Sequence, residues 1–139
     1  MKGIYFTIFL LFLITANLFP QNDSMVKDRH KPYILFENTT YDYGTIENGS
    51  DGTCIFHFKN AGKSPLIVIN CQPSCGCTVA DWTKEPIKKN KTGTIKIRYN
   101  TSLSGAFQKY ITVTSNAINS PIKIYIKGTV KNAEKKTNP

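Results

Sequence analysis

From Tyr33 onward the chain alternates. Short β-branched and aromatic runs, roughly ten residues apart, are separated by clusters of Gly, Asn, Pro and Ser. Over residues 53–59, Cys54, Phe56 and Phe58 share one face, while Thr53, Ile55, His57 and Lys59 share the other. That is the period-two signature of a half-buried strand, with the aromatic face as core. Residues 94–99 put Ile95, Ile97 and Tyr99 inward and Lys96 and Arg98 outward. Residues 108–115 turn Ile111 and Val113 inward, and residues 122–130 do the same with Ile122, Ile124 and Ile126. Further strands are expected at 33–37 and 40–46, the second ending in the turn Glu47-Asn48-Gly49. Residues 65–71 are nearly all apolar, which predicts a central strand. No amphipathic helix of useful length falls within 33–130, and there is no internal repeat. Seven or eight strands over about 100 residues predict an all-β, immunoglobulin-like sandwich.

The flanks differ from this region. Met1-Lys2-Gly3 precedes an apolar run at 4–14 and then Thr15-Ala16-Asn17. One early positive charge, a short apolar core and small residues are the parts of a secretory signal peptide, expected over 1–20. The run is short of the ~20 apolar residues that a membrane-spanning helix needs. The alternative is a retained N-terminal anchor, the only membrane contact expected. A polar linker follows at 21–32, then the domain at 33–130, then a disordered basic tail at 131–139. The expected location is exported: periplasm or cell surface.

The net charge is +9. The lysines are mostly scattered singly, and the denser groups, at 88–91 and 131–136, are not interleaved with aromatics. This distribution argues against nucleic acid as a partner and for a solvated positive surface.

The segments FKNAGKSPLIVINCQPSCGCT, W-x-K-E-P-I at 82–87 and SNAINSPIKIYIKGTV resemble the domain-of-unknown-function family numbered 1573, common in Bacteroidetes envelopes. That family is similar to the Hydin-type and major-sperm-protein branch of immunoglobulin-like domains. The resemblance covers roughly residues 35–130. Ser74-Cys75-Gly76-Cys77-Thr78 is its most specific element; Phe58-x-Asn60-x-Gly62 and Gly128 are weaker. It implies a fold and an exported location, and no activity, substrate or catalytic residue. Cys54 and Cys71 look like additions to the common pair at Cys75 and Cys77.

Four cysteines, Cys54, Cys71, Cys75 and Cys77, allow three complete pairings. In an exported chain the default is oxidation. Cys54 lies inward on one strand and Cys71 ends the next, so the two are near each other and a Cys54–Cys71 bridge is one candidate, which would close a loop of about 17 residues and add ~3 kcal/mol; the connectivity of the four stays open. A Cys75–Cys77 bridge needs a kinked chain, and Gly76 supplies the freedom. So small a ring is more easily reduced. Three readings stand: four structural staples; a redox pair at Cys75 and Cys77; or a soft-metal site for copper or zinc at Cys71, Cys75 and Cys77. Zinc prefers four ligands, and neither His30 nor the outward-facing His57 lies nearby in sequence.

Trp82 is expected to be a core residue or to pack over a disulfide, with ligand stacking as the alternative. Tyr125 falls on an outward face and is available to a contact surface. Asn22, Asn38, Asn48, Asn90 and Asn100 each open an Asn-x-Ser/Thr triplet, a glycosylation acceptor in a eukaryotic secretory route and, as preferred here, a chance product of an Asn- and Thr-rich bacterial chain. No catalytic constellation and no cofactor site emerge; a serine nucleophile would need a histidine base. The function expected is a non-enzymatic envelope module that binds an envelope protein or surface ligand. The alternative is thiol-redox or metal handling.

Overall fold

The structure, a computed structural model, describes residues 30–132. The expected leader at 1–20, the linker up to residue 29 and the tail beyond residue 132 lie outside the described residues.

Eight strands form: β1 (Ile34–Phe36), β2 (Thr40–Ile46), β3 (Thr53–Asn60), β4 (Val68–Pro73), β5 (Thr78–Trp82), β6 (Thr92–Tyr99), β7 (Gly105–Ser115) and β8 (Ile122–Val130). They make two four-stranded sheets, ordered β1-β3-β6-β5 and β2-β8-β7-β4. Every pairing is antiparallel except β2 with β8. No helix forms among the described residues. This is an immunoglobulin-like β-sandwich. The faces follow the alternation: Phe56 and Phe58 of β3 and Ile95 and Ile97 of β6 are buried with Ile111 and Val113 of β7 and Ile124 and Ile126 of β8. Burying these side chains between two sheets supplies the main driving force for folding.

The run 65–71 is not a central strand. Leu66 makes a single bridge to Ile87, and β4 starts only at Val68, at the edge of its sheet. A register shift between Val68 and Asn70 leaves Ile69 61% exposed. Pro73 has no N–H to donate, which an edge tolerates and a central strand does not. The next segment, TVADW, is itself a strand, β5, that alternation alone does not reveal: its inward residues include a threonine and an alanine.

The chain changes sheets at every connection from β1 to β5. The β1–β2 and β3–β4 connections each pass from the first sheet to the second, and residues 74–77 pass back to β5. The two ends of the sandwich are built differently. At one end Asn60, 0% exposed, laces the loops together. Its Nδ2 donates to the carbonyls of Ser64 at 2.8 Å and Ile87 at 2.9 Å, and its Oδ1 accepts from the N–H of Gly62 at 2.9 Å and of Tyr33 at 3.4 Å. Gly62 has no room for a side chain: a Cβ would sit 2.4 Å from the Lys31 carbonyl oxygen. At the other end Tyr99 stacks on Phe107 with ring centroids 3.8 Å apart, and the Tyr43 hydroxyl donates to the Gly52 carbonyl at 2.6 Å. Lys131 is held here as well, its N–H donating to the Ile46 carbonyl at 2.9 Å and its Nζ pairing with Glu47.

Candidate functional site

The crossover 74–77 is pinned on both sides. The Ser74 N–H donates to the Tyr110 carbonyl at 2.9 Å, and the Tyr110 N–H returns a bond to Ser74 Oγ at 3.1 Å. The Cys77 carbonyl then accepts from the Asn100 N–H at 2.9 Å, which starts the β5–β6 ladder. Between these anchors Cys75 and Cys77 form a disulfide, Cα atoms 5.3 Å apart, around the exposed Gly76. Thr78 lies directly beneath, 5% exposed, with Oγ1 3.7 Å from Cys75 Sγ and 3.9 Å from Cys77 Sγ.

A cleft of about 400 Å³ opens beside the pair. Gly76, Cys77 and Val79 form one wall, the loop Ser50–Gly52 another, with Arg98 and Asn100 between. The Asp51 carboxyl is held below the usual carboxylate range, first by the Thr53 hydroxyl and N–H and then by the charges of Lys96 and Arg98. Lys96 and Arg98 also line an adjoining hollow with Thr53, Val79 and Asp81. Arg98 is the only arginine among the described residues.

The structure does not form the candidate Cys54–Cys71 bridge: both are free, buried thiols. Cys54 on β3 meets the Tyr43 phenol of β2, whereas Cys71 on β4 feels Asp81 and Lys84 at the opposite flank of the sandwich. With strands about 4.8 Å apart, that sideways offset exceeds disulfide reach. Burial pushes the Cys71 thiol up to about 12 and raises Cys54 as well, so both are poor nucleophiles. Nor do Cys71, Cys75 and Cys77 converge: among the described residues no three His, Cys, Asp or Glu side chains are placed to hold a metal ion. Trp82 packs, half-buried, against the hydrophobic core as one expectation had it, and not over the disulfide. It sits at the far end of β5, its Nε1 donating to the Val68 carbonyl at 3.1 Å and its ring lying 3.0 Å beneath Lys84 Nζ. His57 and His30 are exposed. Tyr125 and Tyr110 pair across the outer face of the second sheet at 6.3 Å.

Sequence reasoning missed Thr78 and Arg98 as parts of the site. Thr78 adjoins Cys77 and could have been singled out by that alone. Alternation presents Arg98 only as an outward residue of its strand, because its nearness to Cys77 comes from β5–β6 pairing.

The family described as "Protein of unknown function (DUF1573)" matches residues 34–130. The chain belongs to this family. Comparison with curated proteins finds no match. Among solved structures, a protein of unknown function from Porphyromonas gingivalis W83 is similar at 15% identity and a TM-score of 0.66, over 78% of this chain and 51% of that one. The chain thus spans about half the length of that relative. The ASH/PapD-like domain 7 of human CEP192 is similar at 11% identity and a TM-score of 0.57, over 75% of this chain and 89% of that one. The secreted serine protease VesC from Vibrio cholerae is similar at 13% identity and a TM-score of 0.53, over 82% of this chain and 26% of that one. At these identities the likenesses speak for the fold alone.

Proposed function

We propose that this domain is an exported, non-enzymatic module of the cell envelope that binds a protein partner by strand addition at the open edge of β5. The observation that supports the reading is the state of that edge. The ladder bonds at Cys77 and Thr83 fix the alternation, so residues 77, 79, 81 and 83 turn their backbone groups toward β6. Thr78, Ala80 and Trp82 turn theirs away from the sheet. Asp81 Oδ1 caps the Trp82 N–H at 2.9 Å, and Ala80 has no such cap. The neighbouring Val79 is 56% exposed and offers an apolar contact to an added strand.

The three other edges are less suited. β1 is three residues long, β2 shifts register between Asp42 and Thr45, and β4 carries both a register shift and Pro73. Such features blunt an edge, and β5 has none of them. The leader-like N-terminus supports the exported location.

The test is photo-crosslinking in intact cells from position 79, with Ala80→Pro as the paired variant. Proline removes an edge N–H that no ladder uses, so the urea midpoint should hold while a discrete Val79 adduct disappears. Equal adducts from the parent chain and the Ala80→Pro variant, or the same adduct from Tyr125 on the opposite sheet, would sink the reading.

A further inference from the structure

We propose that the Cys75–Cys77 disulfide is a thiol-exchange site that accepts one electron pair from an acidic dithiol, entering through the cleft beside Arg98. This stands apart from strand addition and holds or fails independently of it.

Three observations converge. Of the two sulfur-bearing residues, Cys77 lines the cleft and Cys75 does not. An incoming thiolate is therefore directed to Cys77 Sγ, with Cys75 Sγ as the leaving group. Second, the buried Thr78 hydroxyl has no oxygen acceptor among the described residues; its hydrogen-bonding neighbours are the two sulfurs, at 3.7 and 3.9 Å. A hydroxyl held in that position is a donor waiting for a sulfur that gains negative charge, and Cys75 gains it when the bond opens. Third, around the cleft and the hollow that adjoins it the cations Arg98, Lys96 and Lys84 outnumber the carboxylates of Asp51 and Asp81 by one, although Arg98 and Asp51 balance within the cleft itself. Arg98 lines the cleft, Lys96 stands in the adjoining hollow, and the opposing Asp51 carboxylate is already engaged by Thr53 at 3.0 Å. Asp81 is answered by Lys84 at 3.5 Å. Cationic surroundings stabilise an attacking thiolate and attract a carboxylate carried by the same molecule.

In the exchange, the partner's first thiolate forms a bond to Cys77 Sγ. The Cys75–Cys77 bond breaks, its electron pair goes to Cys75 Sγ, and that sulfur takes up a proton. The partner's second thiolate then attacks its own sulfur in the mixed disulfide. Cys77 leaves as a thiolate and is protonated in turn. The partner dithiol loses two electrons and two protons and becomes a disulfide; Cys75 and Cys77 end as thiols. The two buried thiols, Cys54 and Cys71, take no part. One chain performs one such exchange, which is compatible with a protein that does not turn over.

The test uses the intact exported chain and three monothiol probes: 3-mercaptopropionate, 2-mercaptoethanol and cysteamine. Alkylation followed by peptide mass mapping gives the rate at which Cys75 and Cys77 become free. The quantity to compare is the ratio of the anionic to the cationic probe's rate. It should fall about fivefold in Arg98→Gln at low salt, with no such difference between wild type and variant at high salt. Arg98 is exposed on the outer face of its sheet, so this variant keeps the fold. Thr78→Val should slow all three probes alike. A disulfide that resists millimolar thiol in the folded protein would overturn the proposal. So would a probe ratio that Arg98→Gln leaves unchanged.

Discussion

The two ends of this sandwich solve the same problem with opposite chemistry. Each must hold loops that join strands of different sheets. The Asn60 end does it with one buried amide that satisfies four backbone groups from Tyr33, Gly62, Ser64 and Ile87. The backbone of Asn60 adds two more bonds, donating to the Lys91 carbonyl at 3.0 Å and accepting from Asn90 at 2.8 Å. The Asn60 side chain has no donor or acceptor left over, and the surface above it carries exposed lysines at 59, 63, 88, 89 and 91. The crossover end relies instead on a covalent link of short span, leaves Gly76 in open space, and borders a cleft of about 400 Å³. One end is closed by a polar network, the other by a small covalent ring beside a cleft.

The contrast between the ends should break most sharply at Asn60. Asn60→Ala removes all four side-chain bonds at once and strands buried N–H and C=O groups, so a loss of about 4 kcal/mol is expected in urea unfolding. A loss below about 1 kcal/mol would mean that water replaces the amide and that this end is not closed.

At the other end, replacing both Cys75 and Cys77 by Ser opens a ring of only three residues. The chain-entropy estimate for so short a loop is about 1.5 kcal/mol, well under the Asn60 effect. Equal losses at the two ends would contradict this ordering. The Cys75→Ser, Cys77→Ser protein should keep its far-ultraviolet spectrum unchanged.

The smallest effect concerns the sulfurs between the ends and appears only in alkali. The Cys71 thiol is raised from 9.0 to about 12 by burial, and Cys54 moves in the same direction. An acid raised in the folded state contributes stability that is whole below pH 9 and is lost as pH climbs toward 12, because the unfolded chain ionises first. Burial also raises Tyr43 and Tyr99, which join the decline above about pH 10. Cys71→Val should therefore flatten the stability profile between pH 9 and 10 and leave it unchanged at pH 7. An unaltered alkaline limb would show that the thiol is not shielded.

Much of the fold was legible before any coordinate. Strands β3, β6, β7 and β8 each bury one face and wet the other, so their residues alternate in polarity and declare their orientation. The two failures lie side by side. The run at 65–71 is apolar because Leu66 and Val68 are buried while Ile67 and Ile69 are not, and composition does not distinguish that from a strand covered on both faces. β5 was silent because an edge strand with a threonine and an alanine inside has little contrast to read. The Cys54–Cys71 pairing failed for a topological reason: proximity along the chain gave no account of the flank on which each strand would finish.

The amino-acid order alone determined the sandwich, the inward faces of its long strands and the clustering of Cys71, Cys75 and Cys77, because each of these is written in local periodicity or spacing. Tertiary structure alone decided which cysteines pair, which edge stays open, and that Arg98 and Thr78 attend the disulfide. Those depend on the lateral order of strands in two sheets, a property of long-range packing that no window of neighbouring residues contains.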